Sequence, residues 1–546
     1  MTGPDRGIGG VRDRLALGGI VALFVAIRLP LLFDPALHLG WNSESAVYGL
    51  MATAIARGRD YPLFFWGQSY LGALTAYVAA PLVWIINPLR ALRIGVSLQV
   101  LAGIVFYWAA LRRSFNPRVA NVTALWLAIG PAYVVFFSVA TLGIEQLFLI
   151  GAVVYWFATI TRLARPRDWF VLGLLVGFGW WIHQGTVFTA GPVIITAILR
   201  TPWWNRVREA PWNRRPGLIT IAIAAPLLID LILGVLRSSG FDAPAFFLFR
   251  PVIEPLVLLL LLVIFVNRMA LGTVLRVEGA GAVTAALFAI GALLGYSPVL
   301  IGKVTGYVNA YGRNDPFVDL RGIATHALTF LRIDLWLFVG VAASVVVVPC
   351  FLVAVVRRRR LDVELMTIML CVVFYVCMER ARPGSVRYIV SALPFVYAFS
   401  AETMLRLRMR WLLVSFVALA LLVPAIKQVR DVPAGRMESY AGTPSNLDPR
   451  PILRAIEGRG YTICYADYWI AYKLQWVSEE RVRFIPWRSL DRNRAMSREL
   501  VATPGPKCIV DIDGHVRAVT PADLDHAIAR RARERRLLRG PRASEP

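Results

Sequence analysis

The sequence predicts an all-α polytopic membrane protein of about 13 transmembrane helices, with juxtamembrane helices in its first outer loop and a small extracytoplasmic α/β domain at its C-terminus. Three observations carry that prediction. The 546 residues are 57% hydrophobic with a mean hydropathy of +0.60, whereas a soluble domain is roughly 45–50% apolar. Apolar runs of bilayer-crossing length, roughly 17–25 residues, recur along the chain. The basic clusters between those runs sort onto one side. The net charge of +25 therefore reads as topology signals, because the arginines form short clusters and no continuous basic face for nucleic acid.

In chain order, spans are expected near 15–33, 95–111, 119–138, 145–162, 169–186, 187–200, 217–236, 252–268, 279–298, 335–356, 363–378, 388–404 and 410–427. The first is preceded by basic residues but followed by no small-residue cleavage site, so it is expected to remain as an anchor. The stretch 69–86 is read as a helix on the membrane surface. On that reading "RRSFNPR", "TRLARPR", "RTPWWNRVREAPWNRRPG", "NRMALGTVLR", "RRRR" and "RLRMR" all lie in the cytoplasm with the N-terminus. The outer face then carries the first loop (34–94), the turn before Glu145, His183 and Gln184, the loop from about 299 to 333, "MERARPGSVRY" and everything after about 428. The membrane domain is 1–427. Arginine far outnumbers lysine, which suggests a GC-rich genome and a bacterial cytoplasmic (inner) membrane.

The tail, 428–546, reads as a soluble α/β module. Leu447 to Arg459 is helical in pattern, "YTICYADY", "RVRFIPW" and "KCIVDID" are strand candidates, and a last helix starts at Thr520 with Pro521 and Asp523 behind it. Five cysteines show no metal or haem spacing. Cys464 and Cys508 share the tail, and two buried strand thiols are favoured there over a disulfide. No repeat, GxGxxG or P-loop pattern is present.

Candidate chemistry lies on the outer face. In "WNSESAVYGLMATAIARGRDYPLFFWGQSYLG", apolar residues at 46, 47, 50, 51, 54 and 55 predict a surface helix that stops at Gly58. Tyr61, Phe64, Phe65, Trp66 and Tyr70 follow as an aromatic floor at headgroup level. Glu44 begins that helix, either complementing its positive end or facing a substrate. Glu145 is either a solvated helix-start residue or a second acid on the same cavity. His183 is a packing residue or a site residue. Asp230 is an acid within a span, either paired or functional. Lys303, Arg313, Arg380, Arg382 and Arg387 are cations at the surface that either grip a phosphate or make ion pairs and headgroup contacts, and Arg387, at the start of a span, is best placed for an anionic lipid group.

The first loop from "NSESAVYGLMATAIARGRDYPLFFWGQSYLGALTAYVAAPL", the acidic loop at Glu145, "GWWIHQ", "GYSP" and "VRYIVSALP" resemble the GT-C superfamily of membrane glycosyltransferases, in particular bacterial proteins related to protein O-mannosyltransferases and to the lipid A aminoarabinose transferase. "YADYWIAYKLQWVSEERV" resembles the extracytoplasmic domain of one bacterial branch of that group. The resemblance implies transfer of a sugar from a polyprenyl-phosphate donor to a glycan, lipid or protein acceptor, beside membrane lipids and without nucleic acid. It makes Glu44 the general base, where relatives usually carry Asp, with Glu145 as a second catalytic candidate. Asn42, Tyr48, Gln68, Tyr70, His183, Gln184, Lys303, Arg387 and Tyr388 become substrate-binding candidates. Metal dependence varies in the superfamily, so Mg or Mn is an open expectation with Glu145 as its candidate ligand. Two other classes compete. A transporter or flippase would show paired repeats or several intramembrane charges, and an inactive GT-C-like scaffold would tolerate the Asp-to-Glu change.

Overall fold

The computed structural model describes residues 11–33, 43–68, 71–141, 143–200, 279–305, 320–358, 362–377, 386–431, 448–486, 491, 493–511 and 514–520. The spans expected at 217–236 and 252–268, Asp230, and the helix expected from Thr520 onward fall outside them, Thr520 itself excepted.

The described residues of the membrane part form helices: α1 (Val11–Phe33), α2 (Ser43–Ala56), α3 (Leu74–Val83), α4 (Pro88–Ser114), α5 (Pro117–Ile129), α6 (Ala132–Phe137), α7 (Ile144–Thr161), α8 (Pro166–Ile182), α9 (Val187–Leu199), α10 (Gly279–Gly295), α11 (Ser297–Val304), α12 (Leu320–Thr329), α13 (Leu335–Val339), α14 (Val341–Arg357), α15 (Val363–Cys377), α16 (Leu393–Met404) and α17 (Arg410–Asp431). Among the described residues, five helices are long and apolar enough to cross a membrane: Val11–Phe33, Pro88–Ser114, Ile144–Thr161, Arg321–Val339 and Arg410–Arg430.

Local chemistry sets the helix ends. Asn87 and Asn116 cap α4 and α5, accepting from Leu89 N at 2.8 Å and Val119 N at 3.0 Å, each with a proline at the first helical position. The single span expected over 119–138 is split, because Gly130 takes a φ of 73° and Pro131 follows it. Helix α3 has ten residues, about 15 Å at 1.5 Å per residue, half the hydrocarbon thickness. The loop expected from about 299 to 333 contains α11 and α12, and the span expected at 335–356 is interrupted at Gly340, where φ is 91°. A π-helical segment, Phe330–Asp334, joins α12 to α13. His326 meets the Val376 carbonyl at 3.2 Å and Asp334 meets the Tyr375 hydroxyl at 3.0 Å. Two points eight residues apart thus touch adjacent residues of α15, so this stretch runs across the end of α15.

Helix ends inside the bundle leave carbonyls without intrahelical donors, and two buried arginines supply them. Arg28 donates to the Ala128 and Ile129 carbonyls at the end of α5 and to Ser138, and Arg93 donates to Leu31 and Leu32 at the end of α1. Helices α8 and α10 meet through a Gly-x-x-x-Gly pair on each. A methyl at Gly173, Gly177, Gly291 or Gly295 would collide with a backbone carbonyl of the facing helix, the close approach small residues permit in membranes.

The tail holds α18 (Pro449–Glu457), β1 (Ile463–Ala466), α19 (Tyr468–Val477), β2 (Arg483–Pro486), α20 (Arg494–Ala502), β3 (Lys507–Val510) and β4 (Val516–Ala518). The strand order is β2-β1-β3-β4, with β4 antiparallel and the others parallel. The first strand stops at Ala466, earlier than "YTICYADY" suggests, because Tyr468 opens α19. Cys464 lies directly opposite Cys508 on β1 and β3, with Cα atoms 4.4 Å apart, and the two form a disulfide in place of the expected thiols. Register decides this pairing, and register is invisible in cysteine spacing.

Candidate functional site

Helix α2 is the platform. Ser43 Oγ donates to the Tyr468 carbonyl of the tail at 2.6 Å, while Ser45 Oγ donates to the Thr141 carbonyl of the membrane body at 2.8 Å. Both serines are buried and Glu44 between them is half-buried. Tyr48, one turn on, faces the body, where Gln146 Nε2 donates to its hydroxyl at 3.2 Å. At 3.6 residues per turn, Glu44 falls between Ser43 and Tyr48, at the seam of tail and membrane body.

Arg387 faces that seam. It sits in a 3₁₀ segment, Val386–Ala392, leading into α16. Its Nη2 donates to the Tyr388 hydroxyl at 3.1 Å, its guanidinium lies 4.9 Å from the Tyr388 ring centre, and the negative charge of Glu44 is near enough to be felt there. Tyr375 lies near Arg387 and Tyr388 and donates to Asp334 at 3.0 Å. A polar set thus runs from Glu44 through Arg387, Tyr388 and Tyr375 to Asp334, with Asp334 buried. Asp334 and Tyr375 were not singled out from the sequence. The readable signal was an acid inside the apolar stretch "FLRIDLWLF"; the π segment that turns it inward was not readable.

Glu145, expected to share a cavity with Glu44, is 1% exposed. Its Oε1 accepts from Thr75 at 2.6 Å and from Thr141, the residue whose carbonyl holds Ser45. Gln146 beside it donates to the Gly72 and Ile182 carbonyls at 3.4 and 3.3 Å as well as to Tyr48. These contacts make the Glu145 region a buried anchor for the first loop. Among the described residues no three His, Cys, Asp or Glu side chains gather. Around Glu145 one carboxylate meets hydroxyls and amides, a poor donor set for Mg or Mn, which take several oxygens.

The aromatics do not form a floor in lipid. Phe64, Phe65 and Trp66 are buried, Phe65 packs on Tyr48 with ring centres 4.6 Å apart, and Trp66 Nε1 donates to Asp60 at 2.9 Å; Tyr61 alone of the described aromatics expected there is exposed, at 64%. Gly72 N donates to the Ile182 carbonyl at 2.9 Å and Leu71 bridges His183, so the loop is stitched to the end of α8. His183 Nδ1 accepts from Gly185 N at 2.9 Å, capping the short 3₁₀ turn that holds Gln184. Gln68 is buried, its N–H bonded to the Phe65 carbonyl at 2.9 Å. Asn42, Tyr70, Arg313, Arg380, Arg382 and the side chain of Lys303 lie outside the described residues.

Residues 73–229 match the family described as dolichyl-phosphate-mannose-protein mannosyltransferase. The resemblance to the GT-C membrane glycosyltransferases is borne out. The matched stretch takes in Thr75, Glu145, Gln146 and His183, and leaves Glu44 and Arg387 outside it. No curated protein matches the sequence. Among solved structures the chain is similar to ArnT from Cupriavidus metallidurans bound to undecaprenyl phosphate, at 14% identity over 94% of this chain and 95% of that one, with a TM-score of 0.48. It is also similar to the archaeal oligosaccharyltransferase AglB from Archaeoglobus fulgidus in complex with an inhibitory peptide and a dolichol-phosphate, at 15% identity and a TM-score of 0.45, covering 87% of this chain and 64% of that enzyme's length. Similarity at that level bears on neither substrate nor mechanism.

Proposed function

We propose that the protein transfers a sugar from a polyprenyl-phosphate-linked donor to an acceptor on the extracytoplasmic face of the bacterial inner membrane, with Glu44 as general base and Arg387 as the cation facing the phosphate. The observation that carries this reading is that Arg387, hydrogen-bonded to Tyr388 at 3.1 Å, lies near enough to the Glu44 carboxylate to feel its charge, so that an acid and a permanent cation from opposite ends of the membrane domain come near one another. The family match supports a lipid-phosphate sugar donor, and the Cys464–Cys508 disulfide supports an oxidising compartment for the tail.

In the reaction, an acceptor hydroxyl attacks the anomeric carbon and gives its proton to Glu44. The bond from that carbon to the phosphate oxygen breaks, and its electron pair leaves with the lipid phosphate, whose growing charge Arg387 offsets. One displacement inverts the anomeric centre. A positioned base contributes about 10²–10⁴-fold, and one donor to a developing oxyanion about 10²–10³-fold. Glu145 and Gln146 hold the loop that carries Glu44, and Tyr388, Tyr375 and Asp334 orient Arg387.

Transfer from a panel of radiolabelled polyprenyl-phosphate sugars, by membranes carrying the wild type or Glu44→Gln at matched expression, tests the reading. Label moving to lipid, glycan or protein only with the wild type, with inverted anomeric configuration, is expected. No transfer from any donor would sink the transferase reading, and equal transfer by Glu44→Gln would remove Glu44 from the chemistry.

A further inference from the structure

The tail grips α2 along its whole length. At the start, Ser43 donates to the Tyr468 carbonyl at 2.6 Å. In the middle, the Trp476 indole lies so close to Gly49 that a methyl there would collide with three of its ring atoms. Just past the end of the helix, Arg57 and Arg59 both reach Glu480, at 2.9 and 2.5 Å, and Asn87 donates to Glu479 at 2.7 Å. Glu479 and Glu480 turn the chain after α19 with φ of 52° and 65°, a conformation uncommon outside glycine, which brings both acids to this edge. Tyr468, Tyr472 and Trp476 are buried in the same apolar cluster as α2. A glycine at 49 has no other evident use. In a helix interior it costs about 1 kcal/mol relative to alanine, and here it is the residue that lets α19 approach.

We propose that the tail domain fixes the Glu44 helix, with Tyr468, Trp476 and Glu480 as positioning residues, so that the transfer site is complete only while the tail is docked. The proposal rests on the transferase reading for its catalytic half. Glu44 is flanked by Ser43, held by the tail, and Ser45, held by the membrane body, so loss of the tail contact frees one of the two restraints beside the base. A displacement of about 1 Å at a reacting group can cost on the order of a hundredfold in rate.

The test uses the full-length protein in membranes or micelles, with amide hydrogen exchange over residues 43–56 and the initial rate of transfer measured side by side. Gly49→Ala is expected to speed exchange over α2 and to lower kcat about a hundredfold at unchanged donor KM. Trp476→Leu alone is expected to be impaired too, and Gly49→Ala with Trp476→Leu to recover more rate than either single change, as the smaller side chain makes room for the methyl. Glu480→Gln, which removes only exposed ion pairs, is expected to lower kcat roughly threefold, and it keeps the test open if Gly49→Ala does not fold. Unchanged exchange, or faster exchange with unchanged kcat, would overturn the proposal. If the wild type transfers no sugar, the transferase reading fails by itself, and the exchange arm still decides whether the tail fixes α2.

Discussion

At the seam of tail and membrane body, the negative charge of Glu44 lies near enough to act on Arg387. Arg387 holds its charge at any accessible pH and offers a planar fork to phosphate, so Arg387→Lys is expected to keep part of the activity and Arg387→Ala to lose about 10²–10³-fold in kcat. Glu145→Gln should lose less than about tenfold, because a glutamine Oε1 still accepts from Thr75 and Thr141; a loss as large as that of Glu44→Gln would return Glu145 to the chemistry. Both acids were visible in the sequence as helix-start carboxylates. Their separation into a half-buried acid at the seam and a buried anchor was not, since it depends on Thr141 folding back between Ser45 and Glu145. A different residue reports on the tail. Burial pushes the Lys473 ammonium down from 10.5 to about 8. The unfolded chain therefore binds more protons between those values, so tail stability rises as pH climbs from about 8 to 10.5 and is flat below 8. Lys473→Met should raise the urea concentration at which the tail becomes protease-sensitive, most at pH 7, with the advantage gone above pH 10.5.

At the scale of elements, the sequence marks helices far better than it marks their partners. The apolar spacing of α2 was plain, and it suggested one face on a membrane surface. In the structure nearly every residue of α2 is buried, because the tail covers the side that periodicity leaves to solvent. The glycines of α8 and α10 show the same limit. Their four-residue spacing is readable, but that they face each other across a long stretch of chain is not. Gly177→Ala should destabilise the protein by about 1–3 kcal/mol through overpacking, read as a lower melting temperature in detergent. Gly191→Ala on α9, where a methyl meets nothing within 4 Å, should be neutral or slightly stabilising. Equal melting of the two variants would contradict the close α8–α10 contact.

For the molecule as a whole, charge predicts the basic clusters on one side and the detailed polar face on the other, and composition made the chain a membrane protein before any helix was drawn. The docking of the tail on the first loop was not legible, because it rests on shape at Gly49 and on two acids in a turn. The topology itself is testable. In intact spheroplasts, Arg498→Cys on α20 should react with an impermeant thiol reagent, and Arg357→Cys at the end of α14 only after permeabilisation; the reverse pattern would place the candidate site in the cytoplasm. The central claim is that Glu44 and Arg387 form one transfer site, and single-turnover transfer by the wild type, Glu44→Gln, Arg387→Ala and the double variant tests it most directly. Groups acting as a unit are strongly non-additive, so the double variant is expected to be little slower than the slower single. Losses that simply multiply, or a Glu44→Gln variant as fast as the wild type, would contradict a shared site.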